Sequence, residues 1–512
     1  MSTARKFARE TTIYGLSTIV QRLLNSLLTP LYTKAYLPKV YSIFSTMFSY
    51  ASIVQALLAF GMETTFFRYI NKFPDKKKQA YNNGFWIIFT ISILFLSSTL
   101  GLTKTLAGLI KIGNDTSQHE FAVYIRYFIG ILVLDAWCVI PFAKLRADGR
   151  PIRYSAIKLI NIVVTISLNV FFILWIPYAL KHRLYGSGWL SHWYAHGWVG
   201  YVFLSNLIAS FITLLLLLPE LLQIQVKFDR AMFKGMMLYS GPILIANLSY
   251  LVNENLDKIL LGKLLPAGIS EHEVGVYSAC ARLSIFLSLF NQAFRMGAEP
   301  FFFSHAKNKN AGQTYARIMD YFVITMCVMF VGVVANIELL KHYVDNKAYW
   351  TGLNVVPPLL FGYVSLGIYM NLSVWYKLSD QTRYGLYISG AGAIVTILLN
   401  VLFIPRYSYM ASAWASLAAY TLMMILSYVW GQKNYPIPYR LGKNMAYLLA
   451  SVIVAYLSFY VFNRNIIIGN AGLIAFASVA LYLEWGNLKA ILLPDATTPR
   501  SHRPDALPPE DQ

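Results

Sequence analysis

Residues 14–67 read YGLSTIVQRLLNSLLTPLYTKAYLPKVYSIFSTMFSYASIVQALLAFGMETTFF, and residues 250–303 read YLVNENLDKILLGKLLPAGISEHEVGVYSACARLSIFLSLFNQAFRMGAEPFFF. The two stretches align without a gap at a constant offset of 236. Identities fall at Tyr14/Tyr250, Leu28/Leu264, Pro30/Pro266, the triplets Val40-Tyr41-Ser42/Val276-Tyr277-Ser278, Ser52/Ser288, Gly61/Gly297, Glu63/Glu299 and Phe66-Phe67/Phe302-Phe303. Each copy holds two apolar runs, each long enough to cross about 30 Å of hydrocarbon as a helix. Both copies enter the bilayer from the same side, which makes this a parallel repeat with its axis along the membrane normal. Two-lobed transporters of that kind place substrate between the repeats and work by rocking one lobe against the other.

Beyond these stretches, the same kind of apolar run recurs along the whole chain of 512 residues, of which 57% are hydrophobic and 13% charged. Soluble domains carry about 25% charged residues, so a water-soluble fold is excluded. The runs are continuous and not alternating, which excludes a membrane β-barrel. Spans are expected over about 12–33, 41–62, 82–102, 120–141, 156–178, 198–218, 238–262, 276–297, 318–338, 352–373, 385–404, 409–430, 444–462 and 466–484. The expected fold class is an all-α integral membrane protein of about 14 transmembrane helices, as two pseudo-symmetric six-helix lobes plus two C-terminal helices. The corresponding boundaries are an N-terminal lobe over 1–220, an inter-lobe linker over 221–237, a C-terminal lobe over 238–432, the last two helices over 433–486 and a disordered, Pro-rich tail over 487–512. Loops are short, leaving no soluble catalytic domain, and no cleavable signal peptide is expected before the first span.

The net charge of +20 raises nucleic acid as a partner, but the placement of the bases argues otherwise. They gather at the N-terminus, in the even-to-odd loops and in the tail, with dense groups at Arg68, Lys72, Lys76, Lys77 and Lys78 and at Lys144, Arg146, Arg150, Arg153 and Lys158. That is the positive-inside asymmetry, which puts both termini in the cytoplasm and sets the bases beside lipid headgroups. Cys138, Cys280 and Cys327 lie in or beside apolar runs without metal-ligand spacing. His192 and His196 are a weak metal signal in a loop better explained as an interfacial aromatic belt; no metal and no cofactor are expected.

Charges inside spans are the candidate functional residues, because a Lys or Arg at mid-membrane costs about 2.5–3.5 kcal/mol unless it meets water or a partner. Arg22, Arg126, Lys258, Arg282 and Arg295 are the cations, and Asp135, Glu254 and Asp257 the acids. The offset of 236 places Arg22 on Lys258, so equivalent helices of the two lobes each present a cation. Two readings stand for several of these. Glu254 and Lys258, and likewise Arg295 and Glu299, are four residues apart and pair along one helix face or are free for a ligand. Arg126 and Asp135 lie on nearly opposite faces and cannot neutralise each other. Arg22 has no carboxylate within a turn. The acids either bind a coupling proton or sodium ion or form structural pairs; the membrane potential is the other driving force. Glu63 and Glu299, at repeat-equivalent helix ends, are expected to be structural or to gate the basic mouth. A cationic cavity suits an anionic substrate, since Arg matches phosphate geometrically.

The runs FARETTIYGLSTIVQRLLNSLLTPLYTKAYLPKVYSIFSTMFSY (7–50) and NENLDKILLGKLLPAGISEHEVGVYSACARLS (253–284) resemble the polysaccharide flippases, of O-antigen or capsule type, within the multidrug and oligosaccharidyl-lipid exporter superfamily. The resemblance implies a flippase, not an enzyme, that moves an undecaprenyl-pyrophosphate-linked oligosaccharide or related lipid-linked glycan from the cytoplasmic to the outer face of a bacterial inner membrane. It implies alternating inward-open and outward-open states around a cationic central cavity, with the family's arginines of the first and eighth spans corresponding to Arg22 and Arg282. Partners so implied are the lipid-linked glycan, membrane lipids, a polysaccharide polymerase and glycosyltransferases; no nucleic acid is involved, and a monomer is expected. The alternatives are a multidrug or metabolite antiporter of the same superfamily, which would favour acidic pockets, and a lipid II flippase for peptidoglycan, which differs only in cargo. A membrane glycosyltransferase or ligase would be expected to carry a large outer loop or an acidic catalytic motif, and neither is present.

Overall fold

The computed structural model describes residues 15, 17, 19–111, 117–306, 310–379 and 381–492. Every regular element among them is helical, as hydrocarbon requires: a helix satisfies its backbone donors and acceptors internally where no water can. Twelve of the described helices are long and apolar enough to cross a membrane. In chain order the spans are α1 (19–35), α2 (Pro38–Lys72), α3 (Pro74–Gly101), α4 (Gln118–Ala147), α5 (Pro151–Lys181), α6 (Gly200–Leu216), α7 (Arg230–Leu264), α8 (Ser270–Phe303), α9 (Ala311–Ala335), α10 (Lys347–Leu378), α11 (Arg383–Tyr407), α12 (Tyr409–Asn434), α13 (Leu441–Val461) and α14 (Ile466–Leu492). The shorter apolar α6, and α1, which is described only in part, complete the fourteen expected.

Two boundaries differ from expectation. The linker predicted over 221–237 is irregular only as far as Asp229, whose side chain accepts the Met232 backbone N–H at 3.0 Å and so caps α7 from Arg230 onward. The tail predicted over 487–512 begins as helix, since α14 runs to Leu492. Its sequence there, NLKAIL, favours helix until Pro494 intervenes; residues 493–512 lie outside the described residues.

The chain forms two compact units, one of residues 1–319 and 340–439 and one of 320–339 and 440–512. In the first, the repeat is visible as matched packing. In the N-terminal lobe α6 packs on α4 and α5; in the C-terminal lobe α12 packs on α10 and α11. Buried hydrogen bonds tie the first and fifth helices of each lobe: Tyr32 Oη donates to Asn169 Oδ1 at 3.0 Å in one, and in the other Thr396 Oγ1 donates to Asn253 Oδ1 at 2.8 Å while Asn253 Nδ2 donates to the Ser389 carbonyl at 3.3 Å. Such interhelical bonds contribute about 0.6–2 kcal/mol in a bilayer. In the second unit Lys443 bridges the buried acids Asp320 (3.6 Å) and Glu484 (2.6 Å), and Asn336 and Asn470 exchange amide hydrogen bonds at 3.0 Å.

The two halves of the repeat are interrupted at different places. α2 breaks at Phe60 and Gly61, both left-handed at φ 48° and 64°, where a Cβ on Gly61 would stand 3.0 Å from Ile243 of α7. α8 breaks at a 3-10 turn over Arg282–Ser284. α2 packs against both α7 and α8 and so forms the seam between the lobes. At the end opposite the basic loops that seam is closed. Tyr349 Oη donates to the Tyr36 carbonyl at 2.7 Å, and the Asp345 backbone N–H donates to Thr33 Oγ1 at 3.2 Å. Gly275 lies so close to α2 that an added Cβ would sit 1.9 Å from the Pro38 carbonyl oxygen. That contact is backbone on backbone and cannot be relieved by a side-chain rotation. Gly275→Ala should therefore part the lobes at this end. A cysteine at Tyr36 should then react with a water-soluble maleimide several-fold faster than in the Gly275 parent, whereas equal rates would show that some other contact closes the seam.

Candidate functional site

Arg22 stands on α1 of the first lobe and Arg282 at the 3-10 turn of α8 in the second, and both side chains are exposed. Neither has an ion pair among the described residues. Both lie within electrostatic range of the Tyr363 hydroxyl on α10, as do Glu254 and Asp257 of α7. Arg282 further interacts with the hydroxyl of Tyr41 on α2 and lies in range of Tyr32 on α1. Cations from opposite lobes thus share one neighbourhood, floored by tyrosine hydroxyls that can donate to or accept from a ligand.

The acids of this neighbourhood are differently occupied. Asp257 is buried, with 4% of its surface exposed. Tyr277 Oη donates to its Oδ2 at 2.5 Å, and Lys258 approaches its Oδ1 at 3.3 Å. Lys258 Nζ also donates to the Glu254 backbone carbonyl at 3.1 Å, so the Glu254–Lys258 carboxylate pair suggested by four-residue spacing does not form. A buried carboxylate left uncompensated costs far more than an exposed helix pair returns, and Asp257 claims the lysine. Lys258, the repeat counterpart of Arg22, is accordingly occupied, and Arg282 is the second-lobe cation without an ion pair among the described residues that lies, like Arg22, within electrostatic range of Tyr363. Glu254 interacts with Tyr250 and has no ion pair among the described residues.

Arg295 is exposed and lies in range of Tyr250; it lines a narrow cleft between α8 and α10 with Asn291, Asn371 and Glu299. Its four-residue neighbour Glu299 pairs instead with Lys377 of α10. In the first lobe Glu63 pairs with Arg146 of α4. The two glutamates therefore make equivalent ties, each joining the second helix of its own lobe to the fourth. Both pairs are partly exposed, and each contributes at most about 1 kcal/mol. Arg126 is exposed on α4 without an ion pair among the described residues. Asp135 lies within the first lobe, interacting with Ser210 of α6 and Lys158 of α5, apart from the Tyr363 group. His192 Nδ1 donates to the Gly188 carbonyl at 2.6 Å, and the His196 ring lies edge-on to Tyr194, which stacks on Tyr201. The three cysteines are buried and form no disulfide.

Tyr41, Tyr277 and Tyr363 are functional-site residues that charge counting does not find. For two of them a signal existed, because Tyr41 and Tyr277 are the matched centres of the Val-Tyr-Ser triplet in the repeat. The counterparts diverge in use: Tyr277 holds an acid of its own lobe, whereas Tyr41 meets the arginine of the other.

A duplicated, two-lobed bundle of membrane-spanning helices defines a protein of the flippase and exporter fold. Its sequence matches the polysaccharide biosynthesis protein family over residues 7–305, more than half of the chain, and the chain belongs to that family; residues 242–402 also match the MatE family. Among solved structures, it is similar to a lipid II flippase MurJ in an inward closed conformation, with a TM-score of 0.70 and 13% identity, covering 92% of this chain and 99% of that one. An inward-facing multidrug resistance MATE family transporter of the MOP superfamily gives a TM-score of 0.61 at 13% identity over 81% and 94% of the two chains. A point mutant of the Vibrio cholerae MATE transporter VcmN gives 0.59 at 17% identity over 84% and 96%. No curated protein matches by sequence.

The buried Asp257–Lys258 pair yields a stability prediction. Lys258→Met should cost about 3–5 kcal/mol by stranding the carboxylate, and Asp257→Asn combined with Lys258→Met should recover most of it. Thermal unfolding of the detergent-solubilised variants measures both; additive losses in the double variant would show that the two groups do not interact.

Proposed function

We propose that the protein is a flippase that moves a polyprenyl-pyrophosphate-linked oligosaccharide from the inner to the outer leaflet of a bacterial cytoplasmic membrane by alternating access. Both termini lie in the cytoplasm, where the basic loops face anionic headgroups. The observation that carries the proposal is that Arg22 and Arg282, from opposite lobes and without an ion pair among the described residues, are exposed and both within electrostatic range of Tyr363. A guanidinium in that state is matched by a pyrophosphate, which takes bidentate hydrogen bonds from each and lies between the lobes as they rock. The glycan occupies the hydrated space at the seam and the polyprenyl chain stays in lipid. Of the three acids, Glu254 is the candidate for a coupling proton or sodium ion, because it stands in the cluster without an ion pair among the described residues, while Asp257 is engaged by Lys258 and Asp135 lies elsewhere.

The family supports a polysaccharide precursor as cargo. Lipid II is a second reading, favoured by the likeness to the lipid II flippase MurJ over nearly all of both chains; it shares the pyrophosphate and differs in glycan. An antiporter for cationic drugs is disfavoured by two arginines at the point of entry between the lobes.

Arg22→Ala and Arg282→Ala should each reduce glycan export about 10- to 100-fold, the worth of charge-assisted hydrogen bonds to a phosphate, with unchanged protein in the membrane. Lys at either position should restore part of the activity, because it returns charge but not the bidentate fork. Deleting the gene and identifying the lipid-linked intermediate that accumulates on the cytoplasmic leaflet assigns the cargo. Normal export in both alanine variants would reject the arginine site.

A further inference from the structure

The linker between the lobes is held firmly against α3. Gln225 N–H donates to Asn82 Oδ1 at 3.1 Å, Trp86 Nε1 donates to the Gln225 carbonyl at 3.2 Å, and Asn83 exchanges two hydrogen bonds with the backbone of Asp229 at 2.8 and 3.1 Å. Between this strap, α3 and the first turns of α7 runs an apolar groove of about 490 Å³ lined by Trp86, Ile87, Thr90, Val226, Phe233 and Met237. Phe228, Phe233 and Met237 continue from it into a shallower, open depression of about 930 Å³ edged by Arg230 and Lys234.

The order of these residues gives the groove a direction. Arg230 and Lys234 are four residues apart on one face at the start of α7, in the basic end of the bundle, while Phe233 and Met237 lie one turn further in. On α3, Trp86 and then Thr90 descend alongside them. Val226 and Phe228 are exposed at 88% and 52%, which in water would be costly and beside lipid is not. The local charge is not neutralised internally. Asp229, the acid of this corner, pairs with Lys76 at 3.5 Å, and Lys227, Arg230 and Lys234 have no ion pair among the described residues. A groove that accepts a hydrocarbon chain and opens at unpaired cations is complementary to one class of molecule.

We propose that this groove holds a resident anionic glycerophospholipid, with its phosphate at Arg230 and Lys234 and an acyl chain along Trp86, Thr90, Phe233 and Met237. The site is distinct from the Tyr363 cluster, shares no residue with it, and does not depend on the cargo assigned above. Because α3 belongs to one lobe and α7 to the other, such a lipid spans the hinge strap and biases the rocking of the lobes.

The test uses the full-length protein in detergent, titrated with phosphatidylglycerol, with phosphatidylcholine of the same chains, and with a polyprenyl phosphate, and read by native mass spectrometry. The parent should retain phosphatidylglycerol in preference to phosphatidylcholine. Arg230→Gln and Lys234→Gln should each weaken phosphatidylglycerol about 5-fold, and together roughly 25-fold at low salt, with phosphatidylcholine binding unchanged. Both residues are exposed, so the single variants report even where the double one folds poorly. Met237→Trp, which fills the groove, should weaken both phospholipids. Equal retention of the two phospholipids by the parent, or unchanged phosphatidylglycerol binding in both glutamine variants, would overturn the proposal. Polyprenyl phosphate displacing phosphatidylglycerol from the parent but not from the glutamine variants would overturn it too, by assigning the groove to a substrate lipid.

Discussion

A guanidinium carried into hydrocarbon has to meet water, an anion or a carboxylate, and which of the three it meets decides what the surrounding helices can do. In this chain the basic side chains of the interior divide on that ground. Lys258 is drawn down onto Asp257, which Tyr277 already holds, and the trio becomes part of the wall of α7 and α8. Arg22 and Arg282 have no ion pair among the described residues and remain exposed, both within electrostatic range of Tyr363. The same rule explains why the buried acids Asp320 and Glu484 share Lys443.

Those ties have a mechanical consequence. Within each lobe the second and fourth helices are joined at the basic end by equivalent ion pairs, and the first and fifth by buried hydrogen bonds. The lobes are thereby internally cross-linked, while the seam between them is made of reversible contacts. Gly275 against Pro38 and Tyr349 against Tyr36 hold one end shut through backbone proximity, a few neutral hydrogen bonds and one exposed ion pair, Lys34–Asp345 at 3.9 Å. Neutral bonds of about 1 kcal/mol each are weak enough to exchange during a cycle, whereas a buried ion pair across the seam would lock it. The rocking of the lobes proposed above would draw on that division between firm interiors and a soft seam.

The duplication supplied the scaffold, and departures from it supply the site. Tyr41 and Tyr277 occupy matched positions, yet one faces the other lobe's arginine and the other an acid of its own. Arg22 and Lys258 are matched as well, yet only Arg22 is left for a ligand. Helix breaks follow the same pattern, at Phe60–Gly61 in α2 and at Arg282–Ser284 in α8, which are not repeat-equivalent.

Helix number, the parallel repeat and the set of interior charges were all legible in the chain, because twenty-residue apolar runs, a fixed offset and the cost of charge in lipid are properties of neighbouring residues and composition. Arg22 could be singled out for the same reason: no acid lies within a turn of it. Which base meets which acid was not legible. Four-residue spacing pairs Glu254 with Lys258 and Arg295 with Glu299, but Lys258 turns to Asp257 and Glu299 to Lys377, because interhelical packing decides which carboxylate is buried and so which must be compensated first. Nor could spacing show that Arg22 and Arg282 come within electrostatic range of the same tyrosine, Tyr363, or that Gly275 lies on the Pro38 carbonyl. Both are approaches between helices far apart in the chain, and the energies that set them are those of close packing and desolvation at a seam that exists only once the lobes are assembled.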